Sequence, residues 1–362
     1  MRVAVIGGGI GGLACAAAFL RFGADVSIYE QAPALREVGA GVQITPNGAR
    51  VLAALDVPLS ARSVKARAVV PTSARSGRAL ARFDLSNKTY RFVHRADLID
   101  MLAAACRGAD LHLGARIDDP AELDADLIVG ADGLHSRVRP LLNGADAPFF
   151  TGQVAWRAVI EADAAPEARV WMAPKRHVVT YPLRGGRLNI VAVQERSAWA
   201  AEGWNHPDDA ANLRAAFRDC APDLQALLER VEAPLLWGLF RHPVASAWHK
   251  TNMALLGDAA HPTLPFLAQG ANLALEDAWS LAAHAVAAPL DTALPAYQAT
   301  RAPRVTRAIA AANANARNYH LSGPARLIAH TGLAVLGRVA PNLIPSRLDW
   351  LYDYDVTAAS KG

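Results

Sequence analysis

The first thirty residues constrain the fold more than anything that follows them. Val3-Ala4-Val5-Ile6 is a short apolar run, the pattern of a parallel strand buried on both faces. It leads into Gly7-Gly8-Gly9-Ile10-Gly11-Gly12, which satisfies G-x-G-x-x-G at Gly7, Gly9 and Gly12. Leu13 to Phe22 reads as an Ala-rich helix closed by Gly23, a C-cap residue type. Ala24 to Tyr29 alternates as a second strand and ends on Glu30, 18 residues beyond Gly12, close to the spacing of a ribose-binding acid. Gly7 makes the tight turn, Gly9 admits a pyrophosphate close to the backbone, and Gly12 lets helix and strand pack closely. The helix start then offers unpaired N–H groups to phosphate. A carboxylate at Glu30 accepts hydrogen bonds from a ribose hydroxyl and repels a 2′-phosphate, which favours FAD or NAD over NADP here.

Two further strand-to-turn motifs follow. Asp126-Leu127-Ile128-Val129-Gly130-Ala131-Asp132-Gly133 precedes Leu134-His135-Ser136-Arg137-Val138-Arg139. Met253-Ala254-Leu255-Leu256 leads into Gly257-Asp258-Ala259-Ala260-His261-Pro262, then Pro265, Gln269-Gly270, Asn272 and Glu276-Asp277. In each, an acid sits at the carboxyl end of a strand, where open α/β sheets bind ligands. The 362 residues are 52% hydrophobic and 19% charged, which excludes disorder and supports one large or two intimate domains. Lys and Arg exceed Asp and Glu by only 37 to 33, with no cationic run, so nucleic acid is not an expected partner. Cys15, Cys106 and Cys220 form no Cys-x-x-Cys pair, so neither a metal site nor a disulfide framework is expected. No apolar run reaches the length of a membrane span, and the opening strand does not read as a signal peptide. A cytoplasmic protein is expected.

Taken in order, these three motifs resemble those of the FAD-dependent class A aromatic monooxygenases, the group that includes salicylate, p-hydroxybenzoate and 3-hydroxybenzoate hydroxylases and 6-hydroxynicotinate 3-monooxygenase. The similarity runs from Val3 to the Asp349–Asp355 tail. It implies FAD as cofactor, with Gly7, Gly9 and Gly12 at the pyrophosphate and Glu30 at the adenosine ribose. Arg36 and the Gly39–Gln43 stretch, Gln43 included, would border the flavin, and Arg95 would reach its flavin side. Asp132 with Arg139 would serve FAD and the incoming nicotinamide nucleotide. Asp258 would bind the ribityl chain, and Pro265, Gln269 and Gly270 would form the turn beside the ring. His261 reads as structural. Ala268-Gln269-Gly270 stands where the group often has Gly-Gln-Gly, a form similar to the branch acting on small hydroxylated ring acids. The segment from Leu111 to Asp126 is shorter than in relatives, which usually carry a three-stranded meander there.

The resemblance also implies an α/β fold with an α+β substrate part. A Rossmann-like FAD domain would span 1–62, 91–148 and 250–320, with an inserted antiparallel-sheet substrate domain of 63–90 and 149–249. A helical tail would occupy 321–362, its Ala325–Pro345 part packing back on the flavin domain. Runs such as Gln153–Ile160, Ala168–Met172, His177–Pro182 and Leu188–Val193 read as successive strands, and Ser63 to Arg91 could add more. Trp156, Trp171 and Trp237 read as core or cavity lining. His177 and Tyr181, four apart, share one face of their strand and occupy the place of the pocket His and Tyr in the resembling hydroxylases.

The implied reaction consumes O₂ and NADH or NADPH and hydroxylates a small aromatic or N-heteroaromatic molecule through a hydroperoxide at flavin C4a. An imidazole suits removal of a ring-hydroxyl proton near neutral pH. His177 is therefore expected to take or relay that proton, with Tyr181 aligning it and Gln269 orienting the ring. A homodimer is one assembly compatible with the sequence. Another FAD-dependent oxidoreductase, a dehydrogenase or reductase without oxygen insertion, is the competing enzyme class, and a non-catalytic flavin binder is a third.

Overall fold

The computed structural model describes residues 1–35, 40–197, 206–341 and 343–358. Three sheets organise them. The first has six strands in the order His249–Lys250, Met253–Leu255, Leu127–Gly130, Arg2–Ile6, Asp25–Glu30 and Asp110–Leu113. Its pairs are parallel except the terminal hairpin between 249–250 and 253–255. Val3, Val5, Ile28, Leu127 and Val129 are buried within it. The helix Ile10–Arg21 covers this sheet and packs on the helix Gly270–Ala287. Its Ala and Gly residues allow close approach: a Cβ on Gly11 would sit 2.8 Å from Leu256 Cδ1. Because the inner strands run parallel, Glu30, Asp132 and Asp258 arrive at one edge with the glycine turn. Ile6 is level with both Tyr29 and Gly130, and Gly130 with Leu255.

The second sheet has eight strands, in the order His206–Pro207, Leu235–Arg241, Phe149–Glu161, Arg187–Glu195, Arg176–Leu183, Glu167–Ala173, Ala68–Ser73 and Phe83–Asp84. Alternation gives it two distinct faces. One buries Val154, Trp156, Trp171, Ile190 and Ala192 against Leu213, Phe217, Leu224 and Leu228 of the helices Ala210–Ala216 and Pro222–Glu229. The other carries Ala155, Arg157, Val179, Tyr181, Val191, Val193 and Trp237. Ala155, Val193 and Trp237 belong to the same core as the six-stranded sheet.

Ala68–Ser73 and Phe83–Asp84 extend the eight-stranded sheet, whereas Ser63–Lys65 pairs with Arg91–His94, which pairs in turn with Gly41–Ile44. Between Leu113 and Leu127 the described residues hold one short 3₁₀ turn, Pro120–Glu122, and no meander. The tail also differs from expectation. The helix Gly323–Val339 lies on the edge of the eight-stranded sheet, with Leu333 near Leu80 and Met172 and Gly337 against Ala81. Residues 349–355 do return to the flavin-side helices: Arg304 donates to the carbonyls of Trp350 and Leu351, and Lys88 pairs with Asp349 and Asp353. No helix among the described residues is long and apolar enough to cross a membrane.

Candidate active site

Gly7 adopts φ +108°, and a Cβ there would lie 2.4 Å from the Ala131 carbonyl oxygen. A Cβ on Gly12 would lie 1.9 Å from the Gly7 oxygen. Strand, turn and helix therefore interlock only as glycine. Gly9 is the N-cap of the first helix and no side chain caps it. Its first amides are left for an anion. Glu30 closes the side of the turn, Oε2 accepting from Gly8 N at 2.6 Å and Oε1 from Ala32 N at 2.8 Å. Each oxygen keeps lone-pair capacity for a hydroxyl donor.

Asp132 accepts from the amides of Arg137 and Val138 through Oδ2, while its buried Oδ1 has no partner. Burial raises its carboxyl above the usual range, and the nearby Ser136 hydroxyl and the Arg137 amide oppose that. Asp258 is enclosed by protein yet open on its surface, as a group on the floor of a cleft is. Burial raises it too, against the attraction of His261 and Arg95. Arg95 begins the helix Arg95–Ala105, and burial lowers its guanidinium while Asp258 supports its charge. An orphaned acceptor, an uncapped helix start and two acids at one sheet edge fit the hydroxyls and phosphates of FAD.

Beneath this cleft lies a buried ionic network. Arg301 meets Glu276 at 2.6 Å and Asp277 at 2.8 Å, all three fully buried. Asp277 also accepts from Gly257 N, and Arg304 braces Glu276. His261 stacks on Trp248, with ring centroids 5.1 Å apart, and bonds to Asp277. The expected structural role of His261 matches this position, which fixes the Asp258 turn rather than facing the cleft.

Two expected ligands are turned elsewhere. Arg139 is 3% exposed, and its guanidinium donates to Asp146, Pro243 O, Ala259 O and Ala260 O. With its donors engaged, it anchors the Asp258 loop instead of offering a hand to a nucleotide. Gln269 is buried, donating to Thr45 Oγ1 and Leu267 O and accepting from Asn47 Nδ2. Its carboxamide therefore seats the turn and leaves one lone pair at most for a substrate. Gln43 accepts from Tyr90 OH at 2.7 Å, Pro265 sits exposed at the rim, and Gly270 opens the helix that follows, where a Cβ would meet Thr263 Oγ1 at 2.9 Å. Arg36 and Gly39 fall outside the described residues.

Above the cleft stands the second face of the eight-stranded sheet. Ala155, Val193 and His177 form one row across three strands; Arg157, Val191 and Val179 form the next; Val159, Asn189 and Tyr181 the third. His177 and Tyr181 do share a face, but four strand residues separate their Cα atoms by about 13 Å. Tyr181 thus does not align His177. Its ring lies 5.0 Å from that of Phe92 and against Gly41, whose amide donates to Asn189 Oδ1 at 2.6 Å. Burial raises the Tyr181 hydroxyl, so it stays protonated. His177 is 2% exposed, its ring 5.5 Å from Phe266 and 5.2 Å from Tyr319. Burial and the neighbouring His320 hold it well below the usual histidine range, so the ring is neutral, with one nitrogen carrying a lone pair.

Arg157 was not singled out by the sequence reading. Its guanidinium lies 3.8 Å over the Trp237 ring, and its buried Nε has no hydrogen-bond partner. Burial, and then the charge of Arg95, push it down to about 9. A cation in mid-strand, between Val154-Ala155-Trp156 and Ala158-Val159-Ile160, is the signal that could have revealed it. Among the described residues no group of three or more His, Cys, Asp or Glu is placed to hold a metal.

Comparison with known proteins agrees with this geometry. The FAD binding domain family matches residues 111–312, and a pyridine nucleotide-disulphide oxidoreductase model matches residues 2–61. A 3-amino-4-hydroxybenzoate 2-monooxygenase, PtnB3, of Streptomyces platensis is 34% identical, covering 98% of this chain and 96% of its own. The 3-hydroxybenzoate 6-hydroxylase of Polaromonas naphthalenivorans is 31% identical over the same shares of the two chains. The solved structure of Klebsiella pneumoniae HpxO complexed with FAD and uric acid superposes with a TM-score of 0.84 at 26% identity, covering 96% of each chain.

Proposed function

Because the chain belongs to the FAD-dependent aromatic monooxygenases, we propose that it hydroxylates a small aromatic acid with a ring hydroxyl, held between the flavin cleft and the sheet face of His177 and Arg157. The observation that carries this reading is the half-buried guanidinium of Arg157, 3.8 Å over the Trp237 ring and placed two strands and one row from the buried imidazole of His177. Ala155, Val191 and Val193 floor the gap between them.

FAD, when bound, supplies the oxygen chemistry, with NADH or NADPH as reductant. The protein supplies position, dryness and charge control. Gly7, Gly9, Gly12 and Glu30 hold the adenosine diphosphate part. Asp132, Asp258 and Arg95 hold the ribityl and flavin side. His177 accepts the ring-hydroxyl proton at Nε2, which makes the ring more electron-rich and so more open to electrophilic oxygen. Arg157 meets the carboxylate; Trp237 keeps its guanidinium facing the site by cation–π contact. Tyr181 and Asn189 seat the Gly41 strand. With Arg139 engaged internally, the exposed Arg137 beside Asp132 is the cation this segment offers to a nicotinamide nucleotide. The supply of that nucleotide makes the cytoplasm the proposed place of action.

The pyridine nucleotide-disulphide match covers residues 2–61 alone, and Cys15, Cys106 and Cys220 are all buried and free, so a redox disulfide has no support. The test is a screen of aromatic acids and N-heterocycles for stimulated NAD(P)H oxidation, with product mass followed under ¹⁸O₂. One labelled oxygen in the product is expected with a hydroxylated ring acid. Stimulated oxidation that yields only peroxide with every compound would overturn the substrate class. His177→Asn should slow hydroxylation and remove a pH limb that lies on the acid side of the usual histidine range, while flavin stays bound; an unchanged rate and pH profile would exclude the base assignment.

A further inference from the structure

His177 is the inner end of a line of three side chains that leads out of the molecule. Its Nδ1 lies 2.7 Å from His320 Nε2, and His320 Nδ1 lies 2.7 Å from Glu195 Oε1. Exposure rises along the line, from 2% at His177 and 7% at His320 to 39% for the Glu195 side chain. Three separate elements supply the groups: the strand Arg176–Leu183, the C-cap of the helix Leu290–Tyr319, and the last residue of the strand Arg187–Glu195. Backbone contacts fix their meeting. Lys175 N donates to His320 O at 3.1 Å, and Glu195 N donates to Lys175 O at 2.9 Å.

The donor and acceptor inventory then sets every proton. An ionised Glu195 only accepts, so His320 carries its proton on Nδ1 and presents a lone pair at Nε2. His177 must donate to that lone pair from Nδ1, which leaves its Nε2 bare. No protein hydrogen bond reaches that nitrogen among the described residues. The other rings facing His177 are Phe266 and Tyr319, the latter bonded to Asn315 and pushed up by burial to about 12. The ammonium of Lys175 is exposed, and Arg196, next to Glu195, stacks on Trp156 on the opposite face.

We propose that His320 and Glu195 are positioning residues that hold His177 in the accepting tautomer and conduct the substrate's ring-hydroxyl proton to solvent. The proposal rests on the reading of His177 as the base. The substrate O–H bond breaks and its proton joins His177 Nε2. The His177 Nδ1 proton passes to His320 Nε2, and the His320 Nδ1 proton passes to Glu195, which releases it to water. Run inward, the same path returns a proton to the product oxygen and restores both tautomers.

The test uses the FAD-loaded full chain with 4-hydroxy-3-nitrobenzoate, a phenolic acid whose ionisation is visible by absorbance. After a pH jump, stopped-flow absorbance follows phenol ionisation and a dye follows proton appearance in the medium. Glu195→Gln still accepts from His320 but cannot carry a proton. It should slow both signals by at least about 10-fold, the lower range of acid–base contributions, with probe affinity little changed. Glu195→Asp should recover part of the rate, and His320→Asn should match Glu195→Gln. If His320→Asn loses flavin, Glu195→Gln alone decides, since that side chain is at the surface. Nitrogen-15 spectra of histidine-labelled protein, free of substrate, should show the His320 Nδ1–H tautomer weakened in Glu195→Gln. Wild-type rates in Glu195→Gln with loss of ionisation in His177→Asn would overturn the relay and leave the base reading intact. Wild-type rates in all variants would overturn both.

Discussion

His261 and Asp277 meet at 2.5 Å through Nε2 and Oδ2, both side chains buried beneath the Asp258 turn. Burial alone would raise the Asp277 carboxyl, but the charges of His261 and Arg301 reverse this and hold it at about 2. Its folded pKa thus lies below the unfolded value. The stabilisation is present above the unfolded carboxylate pKa and is lost as pH falls through that value towards about 2. Asp277→Asn leaves Arg301 with one carboxylate, and removing one partner of a buried pair typically costs about 3–5 kcal/mol. Denaturant unfolding should show a loss of that order at pH 7, narrowing below pH 4, together with weaker flavin retention. A flat difference across pH would rule out the ionic explanation.

Ala268 takes φ +55°, a left-handed conformation, while its carbonyl accepts from Asn272 Nδ2 at 2.6 Å. An L-residue there carries about 1–2 kcal/mol of strain that glycine lacks. Glycine also gains freedom in the unfolded chain, which offsets part of this. Ala268→Gly should therefore raise the unfolding free energy by up to about 1 kcal/mol, read by chemical denaturation.

Gly12→Ala tests the glycine loop. The added methyl would collide with the Gly7 oxygen, which is backbone and cannot swing aside. The turn must open, and the purified variant should emerge with little or no bound flavin by absorbance at 450 nm. Full yellow colour in that variant would show that the helix start does not carry the pyrophosphate.

Arg157→Gln keeps hydrogen-bonding capacity and removes the charge over Trp237. A lost charge-assisted bond to a carboxylate is about 1.5–3 kcal/mol, roughly 10- to 150-fold in KM. The corresponding amide or ester of the same substrate should be affected far less. Equal losses for acid and amide would assign Arg157 to the fold rather than to substrate recognition.

How much of this was legible in the sequence depended on how local each feature is. The glycine turn, Asp132 and Asp258 each follow a short apolar run, and Glu30 ends an alternating strand, so pattern and spacing along the chain mark these positions. The sharing of a face by His177 and Tyr181 follows from strand periodicity alone. The His177–His320–Glu195 line does not: its links join residues 143 and 125 apart in sequence, through a helix end and a hairpin that local pattern cannot bring together. Arg139 and Gln269 are expected from the motifs at the nucleotide and the ring, but their donors are taken by the carbonyls of Ala259 and Ala260 and by Thr45. Spacing says where a side chain starts, not which partner claims it first.

The parallel pairing of Ala68–Ser73 with Glu167–Ala173 reaches beyond stability. A strand from residues 68–73 is stitched into a sheet built mainly from residues 149–241, so the part proposed to face the substrate is not a single contiguous cassette that could be cut out and exchanged whole. Descendants of such a chain can acquire a new specificity only by repainting individual positions on the inner face of that sheet. Arg157, Val191 and His177 are the places where that brush would land.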